Sequence, residues 1–389
     1  MSAPAAPVPV ERPSLTRDLA IRARAAPGRI QGQLRDDEPS LRLDRGPTGE
    51  RFVTYVDSYG DFQLVDWLDI AAGDTAVWDV LLHLFRDEGV DPQLAVLFTS
   101  FETPGGDIYY FPLANDVVGT GEATYDRTAD HRLEGYVFMN DVPYWIETPE
   151  RTEQAAMLFN QEIGHRFGVF VRADLGEGQT NELLGRDLQH WSYFVDTGAS
   201  PMEGNAWVDN RDGTFTTATP QNQLRYHSLD LYLMGLLPAD EVEDTFVIRP
   251  VAAGGADCFG FPLGRGSVPQ FCGPKTILGV RRDFGVADII AVQGPRVQAW
   301  PDTPDRFDIA FVLVARPADA RNGGLLRAFD ELVDRLVQGF HTGTGGRAEL
   351  IVVTASDGCG CHVAGRPAPR FAMWMAAWCL GAWRARRRR

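Results

Sequence analysis

FNQEIGHRFG, residues 159–168, is the stretch whose reading decides the fold. It sets a carboxylate, Glu162, three residues before an imidazole, His165, and its flanks predict a helix from 149 to about 166. Thr148 is suited to cap that helix, Pro149 to its first position and Glu150 to the positive end of its dipole. Gly168 is suited to end it. At 3.6 residues per turn, Leu158, Gln161, Glu162 and His165 fall on one side of the helix.

That register is one letter from His-Glu-x-x-His, in which two histidines four apart share an ion and the glutamate takes a proton from the water the ion activates. Here Gln161 stands at the first histidine, Glu162 at the base and His165 at the second ligand. An amide oxygen is neutral and hard. It suits calcium better than zinc, which prefers imidazole and thiolate. Further donors follow in LLGRDLQHWSYFVDTGASPMEGN (183–205), which holds Asp187, His190, Asp196 and Glu203. His190 comes 25 residues after His165, far enough for a loop to return it. Two imidazoles in tetrahedral positions on one ion, at about 2.1 Å each, require ring nitrogens roughly 3–3.5 Å apart. The candidate ligands are therefore His165, His190, Gln161 and Asp187. Glu182 stands 17 residues after His165, and Val171 occupies the place of a third, closely spaced histidine. His131 reads as a surface group and His227 as a helix cap, while Asp230 could orient a ligand.

Composition is that of a globular protein: 389 residues, 44% hydrophobic and 23% charged, with a net charge of −16. The acidity argues against nucleic acid as a partner, because phosphate binding needs clustered Lys and Arg. The charge is uneven. From Arg366 onward there are seven arginines and no acid, which leaves 30 basic against 53 acidic residues in the body. Of five cysteines, Cys258 and Cys272 lie 14 apart in a Gly/Pro-rich stretch, either as a loop-closing disulfide or as two thiols.

Residues 1–47, rich in Pro, Ala, Arg and Asp, read as irregular. The spacing of apolar residues predicts helices at 76–89, 226–236, 286–294 and 324–341, and strands at 93–101, 107–113, 134–141, 245–251, 306–315 and 348–355. Residues 172–225 read as loop-rich, and 134–141 as an edge strand for substrate. The order lacks a strict βαβ rhythm and predicts an α+β fold with a mixed sheet over 48–355, with room for a subdomain from about 245.

Several stretches resemble a group of exported myxobacterial proteins similar to zinc metallopeptidases: QEIGHRFG (161–168), the 183–205 segment, LDLYLMGLLPADEV (229–242) and DIIAVQGPR (288–296). The resemblance implies a zincin-like domain with His165 and His190 near a metal and Glu162 beside it. ASPME (199–203) resembles the Ser-x-Met turn beneath the metal in metzincins, with Met202 as its methionine. The end, SDGCGCHVAGRPAPRFAMWMAAWCLGAWRARRRR (356–389), resembles the myxobacterial C-terminal sorting tail. It comprises a Cys/Gly/Pro linker (356–370), then an apolar segment with an arginine cluster (371–389). Cys359 or Cys361 would be the processing or attachment point. The 13-residue uncharged run 371–383 rises roughly 20 Å as a helix, short of the roughly 30 Å hydrocarbon core. The following arginines would stay cytoplasmic, placing the body outside the inner membrane, at the cell surface or secreted. MSAPAAPVPVERPSLTRDL has neither a basic start nor an apolar core, so the expectation is a true start further upstream.

Three functions fit these residues. One is an exported zinc-dependent peptidase acting on protein or peptide. The second is a zincin-like domain that has lost catalysis at Gln161 and only binds. The third is an envelope module whose carboxylates in 187–212 hold calcium.

Overall fold

The structure, a computed structural model, describes residues 43–354 apart from 48, 50, 63–75, 104–107, 129–130, 219–222, 252–254 and 270–271. The linker, the tail, Cys359 and Cys361 lie outside the described residues. In chain order the strands are β1 (Asp44–Arg45), β2 (Val53–Val56), β3 (Leu94–Thr99), β4 (Tyr109–Pro112), β5 (Ala114–Asn115), β6 (Tyr125–Asp126), β7 (Gly135–Asp141), β8 (Ala173–Asp174), β9 (Gln179–Thr180), β10 (Trp191–Asp196), β11 (Glu203–Asn205), β12 (Trp207–Asp209), β13 (Thr214–Thr217), β14 (Thr245–Pro250), β15 (Thr276–Phe284), β16 (Arg306–Ala315) and β17 (Glu349–Val352). The helices are α1 (Ala76–Glu88), α2 (Val142–Trp145), α3 (Pro149–Gly164), α4 (Ser228–Leu233), α5 (Val286–Gln293) and α6 (Gly323–Gly343).

The chain is α+β with mixed sheets. The first sheet runs β1-β2-β16-β3-β7-β4, with β17 also on β16. Its centre is parallel, and β4 lies antiparallel to β7 at the edge. Every residue of β3 is buried, as expected of a parallel strand covered on both faces. Alternation splits the two faces. Leu94, Val96, Phe98, Phe311 and Leu313 look toward α3 and α6, while Ala95, Leu97, Val312 and Val314 look toward α1.

The second sheet runs β11-β10-β14-β15-β13-β12 and is antiparallel apart from β10 with β11. Its apolar side chains, among them Trp191, Phe215 and Ile277, join the core that holds α3. Residues 172–225 are loop-rich, and they also contain the short strands β8 to β13. Their strands are short, and rich in Thr, Asn, Asp and Gly. Two of them, β10 and β13, pair with β14 and β15, which lie farther along the chain. Local composition carries no trace of such partners. The strand β15 escapes the sequence reading for the same reason. Two further differences concern the first sheet. β7 is interior, paired on both sides, so the edge beside α3 is β4. The short β1 falls inside the segment whose composition marked it as irregular. Cys258 and Cys272 form a disulfide.

α3 is clamped between this sheet and α6. The Phe159 ring lies 6.0 Å from that of Phe311. On the opposite side, Asn160 Nδ2 donates to Gly339 O and Leu224 O, both at 3.1 Å. Gly343 keeps the far end of α6 close. A Cβ there would stand 2.5 Å from Leu224 O and 2.6 Å from Asn160 Nδ2. Gly→Ala inside a helix ordinarily stabilises by roughly 0.5–1 kcal/mol. Gly343→Ala is expected to reverse that sign and destabilise by about 1–3 kcal/mol through overpacking, measured by urea unfolding. A gain in stability would show that α6 is not held this tightly.

Candidate functional site

Local sequence builds the site from the end of α3 and the loop that returns to it. Thr148 Oγ1 accepts from Arg151 N, and Pro149 opens the helix. At its other end Gly168 N donates back to Gly164 O, and the chain turns away. Val169 N then donates to Gln189 O, stitching the exit of the helix to the 183–192 segment. That segment folds back on itself through Gly185 N to His190 O (2.8 Å) and Ser192 N to Leu183 O (2.7 Å). His190 is thereby delivered to His165.

The ring nitrogens Nε2 of His165 and His190 stand 3.1 Å apart, inside the separation a shared ion requires. Each ring is held at its other nitrogen by a backbone carbonyl. His165 Nδ1–H donates to Gly168 O at 3.2 Å, and His190 Nδ1–H donates to Arg186 O at 3.3 Å. A carbonyl can only accept, so both Nδ1 atoms carry hydrogen, and the neutral ring of His190 presents Nε2 as an acceptor. Burial, with Arg186 and His165 beside it, holds His190 neutral, well below the ordinary histidine range. Gln161 brings its amide to the same point, donating Nε2–H to His190 Nε2 at 3.0 Å.

Glu162 is buried beside them, and burial pushes its carboxyl up to about 8 against the opposing pull of Arg186 and of a hydrogen bond from the Tyr110 backbone. Tyr110 belongs to β4, so this hydrogen bond ties Glu162 to the edge strand.

Arg186 was not legible as a site residue. Its Nη2 donates to His190 Nε2 at 3.0 Å and its Nε to Glu203 Oε1 at 2.6 Å. Arginine is common in loops, and only the fold shows this one half-buried against an imidazole. Asp187 belongs to the same cluster, its Oδ2 3.8 Å from Arg186 Nη1. Among the described residues there is no group of three or more His, Cys, Asp or Glu placed to hold an ion. What converges is two imidazoles, an amide and a guanidinium.

Other residues singled out from the sequence have structural posts. Met202 packs its sulfur against Gly164, just before His165, where any Cβ would collide with it. His227 caps α4, accepting from Leu229 N. Glu182 forms a bidentate pair with Arg249. Val171 is fully buried in the core. His131 lies against Arg86 Nη2 at 3.2 Å, an exposed contact. Asp230 grips the loop at three points: it accepts from Trp191 Nε1 at 2.7 Å, Ser200 Oγ at 2.6 Å and His227 N at 2.9 Å. It fixes Trp191, the neighbour of His190, and the turn that carries Met202.

No protein-family model matches the chain, and no curated protein or solved structure does either. No helix among the described residues is long and apolar enough to cross a membrane.

Burial raises the Asp230 carboxyl from 3.8 to about 6, opposed by its hydrogen bonds from Ser200, Trp191 and His227. The folded chain therefore holds this proton more tightly than the unfolded chain. Its contribution is complete below the unfolded pKa and is lost as pH rises through about 6, on the order of 3 kcal/mol in all. Asp230→Asn removes the titration. The stability of the wild type relative to this variant is expected to fall by about that amount between pH ~4 and ~6.5 in urea unfolding. A flat difference would refute the burial effect.

Proposed function

We propose that the chain is an exported, zinc-dependent peptidase of the zincin type, with its site at the end of α3. The observation that carries this is the approach of His165 Nε2 and His190 Nε2 to 3.1 Å, the separation of two ring nitrogens on one ion. Each ring is oriented at Nδ1 by a backbone carbonyl, as rings that ligate a metal through Nε2 are. His165, His190 and the amide oxygen of Gln161, once the amide is turned over, would hold zinc. Bound there, zinc supplies Lewis acidity toward water and toward a substrate carbonyl.

The chain's own residues do the rest. Glu162, in its carboxylate form, would take a proton from water and return it to the departing amine. The open side of β4, next to Glu162, offers its backbone to an extended peptide, which fixes the scissile bond beside the carboxylate. The Cys258–Cys272 disulfide supports export, because such bonds persist in oxidising compartments. The arginine-flanked tail supports attachment to the inner membrane before sorting.

A second reading, a binding domain that has lost catalysis, is favoured by the Arg186 guanidinium on His190 Nε2. The calcium reading has less behind it. Asp196 accepts from Gly198 N and Trp207 N, Asp212 from Thr214, and Glu203 binds Arg186.

The test uses the full chain. Metal content is measured, and hydrolysis of an unstructured protein substrate is followed with and without chelator and in Glu162→Gln. The expected outcome is stoichiometric zinc, loss of activity with chelator, and a loss on the order of 10²-fold or more in the variant. Activity indifferent to both treatments would sink the mechanism. Zinc bound without any hydrolysis would favour the binding domain, and calcium alone the envelope module.

A further inference from the structure

We infer that Arg186 is a resident cation of the His165–His190 site and competes with the metal for His190 Nε2, so that occupancy requires the guanidinium to leave. The inference rests on the metal-site reading above and concerns how that site is regulated.

The geometry is specific. The single lone pair of His190 Nε2 is the acceptor for Arg186 Nη2–H at 3.0 Å and for Gln161 Nε2–H at 3.0 Å. A metal ion needs that same lone pair, so guanidinium and ion exclude each other there. Arg186 is held in place at its other edge by Glu203 Oε1, 2.6 Å from Nε. Glu203 is itself buried, and its nearer oxygen stands 3.9 Å from His190 Nε2. The pair Arg186–Glu203 thus works as a latch, with Glu203 as the anchor and the guanidinium as the part that covers the ligand nitrogen.

The surroundings explain why the latch is an arginine. Arginine keeps its charge in a buried site and offers a rigid fork that spans two acceptors. Here the two acceptors are a carboxylate and an imidazole. Glu162 and Asp187 add negative character beside it, and Arg186 in turn opposes the rise of the Glu162 carboxyl. The guanidinium supplies positive charge beside these carboxylates. When an ion enters, the freed Nη2 remains tethered through Nε to Glu203, close to the reacting centre. Apparent affinity is lowered by the fraction of chains in which the latch is open.

The experiment is titration of the full, metal-stripped chain with Co²⁺, read by its visible absorption, and with Zn²⁺ by calorimetry. Wild type, Arg186→Gln and Arg186→Lys are compared. Arg186→Gln is expected to bind about tenfold tighter or more. Arg186→Lys keeps the charge without the fork and is expected to lie between; it also serves if the glutamine variant does not fold, as judged by circular dichroism. Equal or weaker binding by Arg186→Gln overturns the inference while leaving the metal site standing. Arg186→Lys indistinguishable from wild type also overturns it, because charge alone, not the contact on His190, would then set affinity. Binding by none of the three chains removes the metal site itself, and the latch with it.

Discussion

Two backbone carbonyls, those of Gly168 and Arg186, set the terms for the rest of the site. By accepting the Nδ1 hydrogens of His165 and His190, they turn the two Nε2 atoms toward each other across 3.1 Å. His190 is buried and neutral, so its Nε2 needs a donor or a cation there. Everything nearby can be read as meeting that demand: the amide of Gln161, the guanidinium of Arg186 and, in the proposed active state, a metal ion. The carbonyls are themselves fixed by the fold. Gly168 lies where α3 has just ended, and Arg186 sits in the segment that Gly185 and Ser192 fold back on itself.

Holding such a site requires a rigid base, which is the packing of α3. Its apolar residues Ala156, Phe159 and Ile163 are buried, and Asn160 locks it to α6. The side chains that carry chemistry occupy the last turn, where the helix leaves the sheet and Met202 closes the space under Gly164. Asp230 extends the same rigidity to the returning loop through Trp191 and Ser200. It does so as a buried carboxyl, at a cost in stability near neutral pH. That cost falls on the segment that carries His190.

Much of this frame was legible in the sequence. Apolar spacing located α1, α3, α5 and α6 and most strands of the first sheet, because those elements bury long, regular runs. The caps of α3 were written in Thr148, Pro149 and Glu150. The approach of His190 to His165 was foreseeable from residue type and loop length. Of the second sheet only β14 was, because β10, β13 and β15 take their identity from partners distant along the chain. The edge position of β4 was hidden for the same reason, since nothing local says which strand lies outermost. Arg186 was invisible as a site residue: its importance lies in where Glu203 holds it.

Gln161 and Arg186 are best understood together. A histidine at 161 would add a third imidazole to the two already present and deepen the need for an ion. Glutamine changes that balance, because its amide donates in one orientation and accepts in the other. As a donor it satisfies His190 Nε2 alongside Arg186, and the metal-free site is then internally bonded. As an acceptor it presents the oxygen that a metal would use, though a weak one for zinc. On the proposed reading, the pair would raise the metal concentration needed to load the site. The departure from His-Glu-x-x-His at one letter thus changes more than ligand strength. It joins a half-buried arginine in bonding His190 Nε2, and in the proposed metal site the same two residues would set how readily an ion displaces them.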